Sequence, residues 1–485
     1  MSKQDPVTRA QAWTLGLASV ASFMVVLDLQ VVATALTTIR RDLGASIGQL
    51  EWTINAYTLA FAVLLLTAAA LGDRFGRRRV FTAGLGLFAA GSAACALAPG
   101  AAALVAARAV QGVGAAMVLP LALALLNAAV PARRRGWAMG IFGSVTALGV
   151  VVGPLLGGAI TQGLAWPWIF WLNVPIGLLT MVLARRRLAE SYGPPAALDL
   201  PGAALGTGAA LGLVWGLVHG SSAGWASLET TGTLAAGVVL AVAFAAWELR
   251  ARAPMLPMRL FAIRGFSAGN AAAFLASASV TGAVFFMAQF LQVAQGHDPL
   301  AAGLRLLPWG VAPLLIAPQA GKLADRIGER ALVVSGLVVQ AAGFAWIAVL
   351  ASPGLAYPAL LAPMVLSGAG IALSLPPVTR AVVGSVPPGD IGKASGGFSM
   401  MRQLGAAFGV AILAAVFAAS GGYASPAAFS AGFGPALAAA AGLALAGALA
   451  GLALPGLAAP GRPVTARDAT AEQAARTAPV ASTGS

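Results

Sequence analysis

The first reading of the chain comes from long apolar runs broken by short charged clusters. Residues 136–184, between Arg135 and Arg185, form 49 positions without a charge, and residues 331–379, between Arg330 and Arg380, form another 49. Each interval carries turn-forming residues near its middle. A spanning helix needs about 20 apolar residues, so a charge-free interval twice that long predicts a helical hairpin. Basic or mixed clusters at 74–79, 133–135, 185–199, 248–264, 322–330 and 380–393 separate seven such hairpins. They predict fourteen helices, at 12–36, 50–70, 80–98, 103–127, 137–160, 166–184, 200–219, 230–248, 266–292, 300–320, 331–351, 357–379, 394–418 and 430–455. The expected fold class is an all-α integral membrane protein with fourteen transmembrane helices.

One cluster occurs twice. Aligning Asp73 on Asp325 pairs LGDRFGRR with LADRIGER, so that Arg74 meets Arg326, Gly76 meets Gly328 and Arg78 meets Arg330. A loop repeated 325 − 73 = 252 positions apart in an apolar chain implies two membrane halves of one ancestry. The two copies join predicted helices 2 and 3 and predicted helices 10 and 11. Helices 1–6 and 9–14 then make two six-helix bundles, with helices 7 and 8 inserted between them and the substrate path running between the bundles. The implied organisation is a cytoplasmic N-terminus (1–11), an N-terminal bundle (12–184), the inserted pair with its flanking loops (185–265), a C-terminal bundle (266–455) and a polar tail (456–485), expected to be disordered.

Composition agrees with a membrane chain and narrows its function. Of 485 residues, 59% are hydrophobic and only 9% charged, against about 25% charged in soluble domains. The net charge of +14 sits in clusters at helix ends, which excludes a nucleic-acid surface. All six clusters fall on one side, while the opposite turns hold little beyond Arg40, Arg41 and Arg305. Short cytoplasmic loops hold Lys and Arg in excess, so both termini are expected in the cytoplasm and the chain in the cytoplasmic membrane. The N-terminal apolar run exceeds the core of about 7 to 15 residues of a signal peptide and reads as an uncleaved first helix. Cys95 is the single cysteine, so no intrachain disulfide can form. There is no GxxxxGK[ST] phosphate loop, metal-ligand spacing or nucleophilic triad. GVGAAM and GAGIAL lie inside helical spans with no preceding strand. An enzyme, a metal and a bound cofactor are therefore not expected, and the lipid bilayer is a partner. A monomer is expected.

Several stretches resemble the major facilitator superfamily, specifically its fourteen-helix drug:proton antiporters. GDRFGRRR is similar to the signature between helices 2 and 3, RAVQGVGAA (108–116) to the helix 4 motif, and GVVVGPLLGG (149–158) to the antiporter motif of helix 5. WIFWLNVPIG (168–177) and LDLQVVATAL (27–36) resemble two further motifs of the fourteen-helix branch. Departures are Ala69 for the Gly that opens the first loop motif, Gln30 and Ala33 in helix 1, and Pro167 between paired tryptophans. The resemblance implies proton-coupled export by alternating access, with a small-molecule substrate and protons as further partners. Within transport the alternative is a dedicated exporter of one endogenous metabolite or lipid; outside it, a transport-inactive membrane sensor.

Candidate site residues follow. Asp28 is the acidic residue well inside a predicted span, and a carboxylate there is costly unless it is functional or paired. It is the expected proton carrier and a group that senses cationic substrate. Arg108, on helix 4 at comparable depth, cannot readily lose its proton and would tune that acid or anchor a network with Gln111. Gly149, Gly153 and Gly157 recur every four residues on one face beside the kinking Pro154, followed by Gly158; the expectation is a tight, dry interface between halves. Asp73, Arg74, Gly76 and Arg77, with Asp325, Arg326 and Gly328, read as gating loops or as a simple positive-inside anchor. The resemblance implies that Asp73 meets the start of helix 13, near Ala394 to Gly396. Candidates for pocket lining are Trp52, Asn55, Tyr57, Phe285, Phe286, Gln289, Gln292 and Arg402, where aromatics offer stacking and cation–π contact. Some members of the family it resembles that export divalent cations rely on an acidic residue in helix 10; predicted helix 10 holds none here, so the resemblance implies monovalent cations or neutral lipophiles as cargo.

Overall fold

A computed structural model describes residues 8–193, 198–252, 254–387 and 390–456. Most of the 1–11 segment and of the 456–485 tail lies outside the described residues. The helices are α1 (Arg9–Leu43), α2 (Ile47–Phe75), α3 (Arg77–Ala96), α4 (Ala101–Ala129) and α5 (Ala132–Gly163). α6 (Trp168–Trp171) and α7 (Asn173–Arg187) form one span broken at Leu172. Next come α8 (Leu200–Ala223), α9 (Leu228–Arg250), α10 (Arg264–Gln289), α11 (Pro299–Ile327) and α12 (Glu329–Leu350). The chain closes with α13 (Tyr357–Gly384), α14 (Ile391–Ser420) and α15 (Pro426–Gly451). Among the described residues fourteen helical spans are long and apolar enough to cross a membrane, so predicted helices 7–14 correspond to α8–α15.

Ends run further than hydropathy indicates because caps, rather than apolarity, stop a helix. α1 starts at a capping box, in which Thr8 and Gln11 exchange side-chain to backbone hydrogen bonds, and ends at Gly44 with φ 60°. Two features lay outside the expectation: a 3₁₀ turn (Met258–Ala262) before α10 and a π turn (Phe290–Ala294) that extends it. The two copies of the duplicated loop share one backbone turn. Gly76 has φ 106° and ψ 123°, Gly328 has φ 88° and ψ 155°, and each joins consecutive helices without an intervening residue. An L-residue rarely adopts that φ, which accounts for glycine at both positions.

Within the first half α1 packs on α4, α5 and α7, while α3 packs on α4 and α7 and α2 on α4; within the second, α10 packs on α13, α14 and α15, and α12 on α13 and α15. Two seams join the halves, α5 against α11 and α2 against α14. The inserted α8 lies on the second seam, touching both α2 and α14, and α9 packs chiefly on α8. On α9, Val238, Val239 and Val242 are exposed, an apolar face suited to lipid. Below, the end of the bundle that carries the duplicated loops is called the basic end, and the opposite end the remote end.

Candidate functional site

Asp28 and Arg108 meet in the interior of the first half, at 2% and 0% exposure. Arg108 donates through Nη1 to Asp28 Oδ2 and, at 2.8 Å, to Gln111 Oε1, and through Nε to the Thr53 carbonyl at 3.0 Å. The second carboxylate oxygen accepts from Gln111 Nε2 and Asn173 Nδ2, each at 2.8 Å. Both amides also donate to Ser92 Oγ at 3.2 Å, and that hydroxyl donates to the Phe170 carbonyl at 2.9 Å. The guanidinium carbon stands 4.3 Å above the Tyr57 ring. A buried ion pair is tolerated only when most of its remaining hydrogen-bonding capacity is met; here five helices, α1, α2, α3, α4 and α7, supply the partners, and Arg108 Nη2 is left without a hydrogen bond among the described residues. Asn173 reaches the cluster because the break at Leu172 restarts the helix at that residue. Asn173 and Ser92 were not among the candidates, though Asn173 stands inside the quoted WIFWLNVPIG motif.

The glycines of α5 divide their work, which corrects the expectation that they face the other half. A Cβ at Gly149 would lie 3.1 Å from Leu27 N, one at Gly153 would overlap the Gln30 side chain, and one at Gly157 would stand 2.7 Å from the Val31 carbonyl. This face therefore packs on α1, along the turns on either side of Asp28. Gly158, about 100° further round the helix, faces α11, where a Cβ would lie 2.7 Å from Leu300 Cα and overlap the Pro299 carbonyl. Gly303 of α11 closes in the same way on the Pro154 carbonyl. Spacing identifies a shared face but not the neighbour that fills it.

Further contacts join the halves at the remote end. Gln292 Nε2 donates to the Thr34 carbonyl at 3.0 Å, Gln292 also accepts from the Thr37 hydroxyl, and the Arg40 guanidinium lies 4.0 Å over the Tyr423 ring. The Tyr423 hydroxyl donates to Gln289 Oε1. Burial, with the Glu51 carboxylate nearby, pushes this hydroxyl above the usual tyrosine range against the opposing pull of Arg40.

At the basic end Asp73 differs from its expected contact. Its carboxylate pairs with Arg77 at 2.8 Å and its carbonyl accepts from Gly193 N at 3.2 Å; among the described residues no hydrogen bond or ion pair links it to α14. Glu190 takes up the positive N-terminus of α3, accepting from Arg78 N at 2.8 Å. Arg74 is exposed, 5.3 Å from the Phe75 ring. The start of α14 is held instead by a two-pronged Arg259–Asp390 pair at 2.7 and 2.8 Å, and Gly396 packs on Leu66 of α2. In the second copy Glu329 pairs with Arg380 at 2.6 Å and Arg326 is exposed. The side chain of Asp325 lies outside the described residues.

The candidate lining residues do not share one pocket. Tyr57 belongs to the Asp28 cluster; Phe285 and Phe286 sit in an aromatic core, with Phe286 4.8 Å from Phe417; Gln289 and Gln292 belong to the remote-end closure. Asn55 is fully buried and its amide atoms have no hydrogen-bond partner among the described residues, and the same holds for the buried Arg402 Nε on α14. Trp52 faces a large cavity together with Glu51, a second buried acid that the sequence reading placed at a helix edge.

Comparison with known proteins bears on the whole chain. The profile of the Major Facilitator Superfamily matches residues 18–288 and 269–482. The cephamycin export protein CmcT of Amycolatopsis lactamdurans is 38% identical over 86% of this chain and 86% of its own length. The multidrug resistance protein Stp of Mycobacterium tuberculosis is 35% identical over 85% of this chain and 77% of its own. The multidrug efflux pump LfrA of Mycolicibacterium smegmatis is 34% identical, covering 85% and 82%. The human organic anion transporter MFSD10 shares the fold at a TM-score of 0.61 and 18% identity, covering 92% of this chain and 100% of its own. The chain belongs to the Major Facilitator Superfamily: it is a multi-pass membrane transporter with fourteen spanning helices, related to the drug-exporting branch, and not an enzyme.

Proposed function

We propose that the protein exports lipophilic or monocationic compounds across the cytoplasmic membrane in exchange for protons, by alternating access, with the basic loops and both termini in the cytoplasm. The observation that carries this reading is the sealed Asp28–Arg108 pair. Protonating Asp28 cancels the charge that Arg108 neutralises, while the guanidinium keeps Thr53 and Gln111 as partners. The change falls on α1, which also carries Thr34, Thr37 and Arg40 of the remote-end closure. Proton binding at one point of that helix thus loads the contacts that close the path at another. The related proteins named for multidrug resistance and efflux support the cargo class.

The test uses inverted vesicles energised by respiration, following collapse of the pH gradient on addition of lipophilic cations and neutral drugs. Collapse that disappears in Asp28→Asn is the expected result. Collapse that survives in Asp28→Asn removes that residue as carrier. A second reading, a dedicated exporter of one endogenous product, is favoured by the relatives named for cephamycin and tetracenomycin C export. It moves ahead if no compound on a broad panel collapses the gradient.

A further inference from the structure

A cavity of about 1390 Å³ lies away from the Asp28 cluster, between α2, α4 and the inserted pair. Its walls come from the remote halves of α2 and α4 on one side and from α8, with Thr233 of α9, on the other. Most of that lining is apolar, as with Ala106 and Leu211, but it is not featureless. Glu51 lines it at 3% exposure, and its Oε2 is buried and accepts no hydrogen bond among the described residues. The indole N–H of Trp52 is also buried without an acceptor. Trp52 stands 5.4 Å from Trp215, and Trp215 stacks on His219 at 4.2 Å and 10°. Trp215 is held in place by Glu229, which accepts its indole N–H at 3.4 Å. Arg40 also lines the cavity, with its charge set over the Tyr423 ring.

A buried carboxylate with an unmet oxygen costs free energy until a donor or a cation joins it. Aromatic faces attract a cation that has shed its water. One such carboxylate, two indoles and mostly apolar walls, with the Arg40 charge set over Tyr423, suit a single positive charge on a large hydrophobic body, and drug-sized pockets of about 300–1,000 Å³ fit within this volume. The geometry points to a lateral binding site for a lipophilic monocation between α2, α4 and the inserted pair, with Glu51 as counter-ion and Trp52 and Trp215 as its aromatic walls. The site gives α8 and α9 a role, since α8 supplies a wall that neither six-helix half contains. Its place in transport rests on the export reading, whereas its ligand class follows from the cavity itself.

The experiment measures binding of tetraphenylphosphonium to the purified full-length protein by equilibrium dialysis, with triphenylphosphine oxide as the uncharged counterpart. Glu51→Gln and Trp215→Ala should each weaken tetraphenylphosphonium by at least about tenfold, that is about 1.4 kcal/mol. Glu51→Gln should leave binding of the oxide unchanged within about twofold. Maleimide labelling of Leu211→Cys, in a chain whose Cys95 is buried, should be slowed by tetraphenylphosphonium in the otherwise unaltered cavity. Parental affinity in both Glu51→Gln and Trp215→Ala overturns the proposal. A phospholipid found in the cavity by native mass spectrometry and not displaced by the cation overturns it as well. Binding needs no proton gradient. Failed export with Leu211→Cys still protected counts against the export reading alone.

Discussion

Gly158→Ala tests whether the α5–α11 seam sets the conformational balance. The added Cβ would overlap the Pro299 carbonyl oxygen and lie 2.8 Å from the Pro299 carbonyl carbon and 2.7 Å from Leu300 Cα. Carbon atoms pack best at about 3.5–4.0 Å, so the start of α11 must withdraw by about 1 Å. Overpacking of this kind costs about 1–3 kcal/mol. If the alternative conformation separates these helices, the whole cost falls on the state seen here and shifts the equilibrium about 5- to 150-fold. Gly163→Ala is the control, because nothing lies within 4 Å of a Cβ there. Spin labels on Leu97→Cys and Ser352→Cys report the separation of the halves at the remote end by pulsed dipolar spectroscopy, with the native Cys95 buried out of reach. The expected result is a longer-distance population in Gly158→Ala that the control lacks. Identical distributions in the two variants would refute the reasoning.

Two further outcomes follow. Breaking a buried ion pair by removing one partner costs about 3–5 kcal/mol, so Asp28→Asn and Arg108→Gln should each lower the melting temperature strongly, whereas Asp73→Asn, whose pair is partly exposed, should cost at most about 1 kcal/mol. The double variant Asp28→Asn/Arg108→Gln should be no worse than either single change, and strict additivity in the melts would show that the two side chains act apart. The Tyr423 hydroxyl, raised by burial and Glu51, stays protonated from about pH 5 to 9. Tyr423→Phe removes the hydrogen bond to Gln289 but no charge, so the shape of the pH profile of transport should not move; a displaced limb would contradict this.

Charge inside an apolar span stands out in sequence, which is why Asp28 and Arg108 could be named, together with the fourteen spans and the duplicated loop. Ser92 and Asn173 carry no charge, and only the network around Asp28 marks them: Asn173 donates to the carboxylate and to Ser92, which meets Gln111 but not Asp28 itself. Glu51 escaped for a different reason. It lies four residues into α2, where hydropathy predicts a boundary, and it is buried in a helix on which the distant α4, α8 and α14 pack. The duplicated loop shows the reach of motif reading: both copies turn at a glycine of positive φ, yet the acid that meets the following helix is Glu190 in one, while the other carries Glu329 in its first turn. Local sequence encodes the turn, and long-range packing selects the partner.

α1 ties these features together in energetic terms. Its closure of the remote end consists of the Gln292 hydrogen bonds to Thr34 and Thr37 and the Arg40–Tyr423 contact. At about 1 kcal/mol per hydrogen bond and about 0.5–2 for the cation–π contact, the closure holds with about 2.5–4 kcal/mol. That is commensurate with the about 3–5 kcal/mol at stake when Arg108 loses its counter-charge. One proton is therefore enough to tip the balance if α1 transmits it as a rigid rod. Between Asp28 and Thr34 the helix lies against Gly153 and Gly157 of α5, where added side chains would collide, so it can slide or tilt but not swell. With Asp28→Asn standing in for the protonated state, the Leu97→Cys to Ser352→Cys distance should lengthen, and adding Gln292→Ala should extend that population. A distance unchanged from the parent would show that proton state and closure are not coupled along α1.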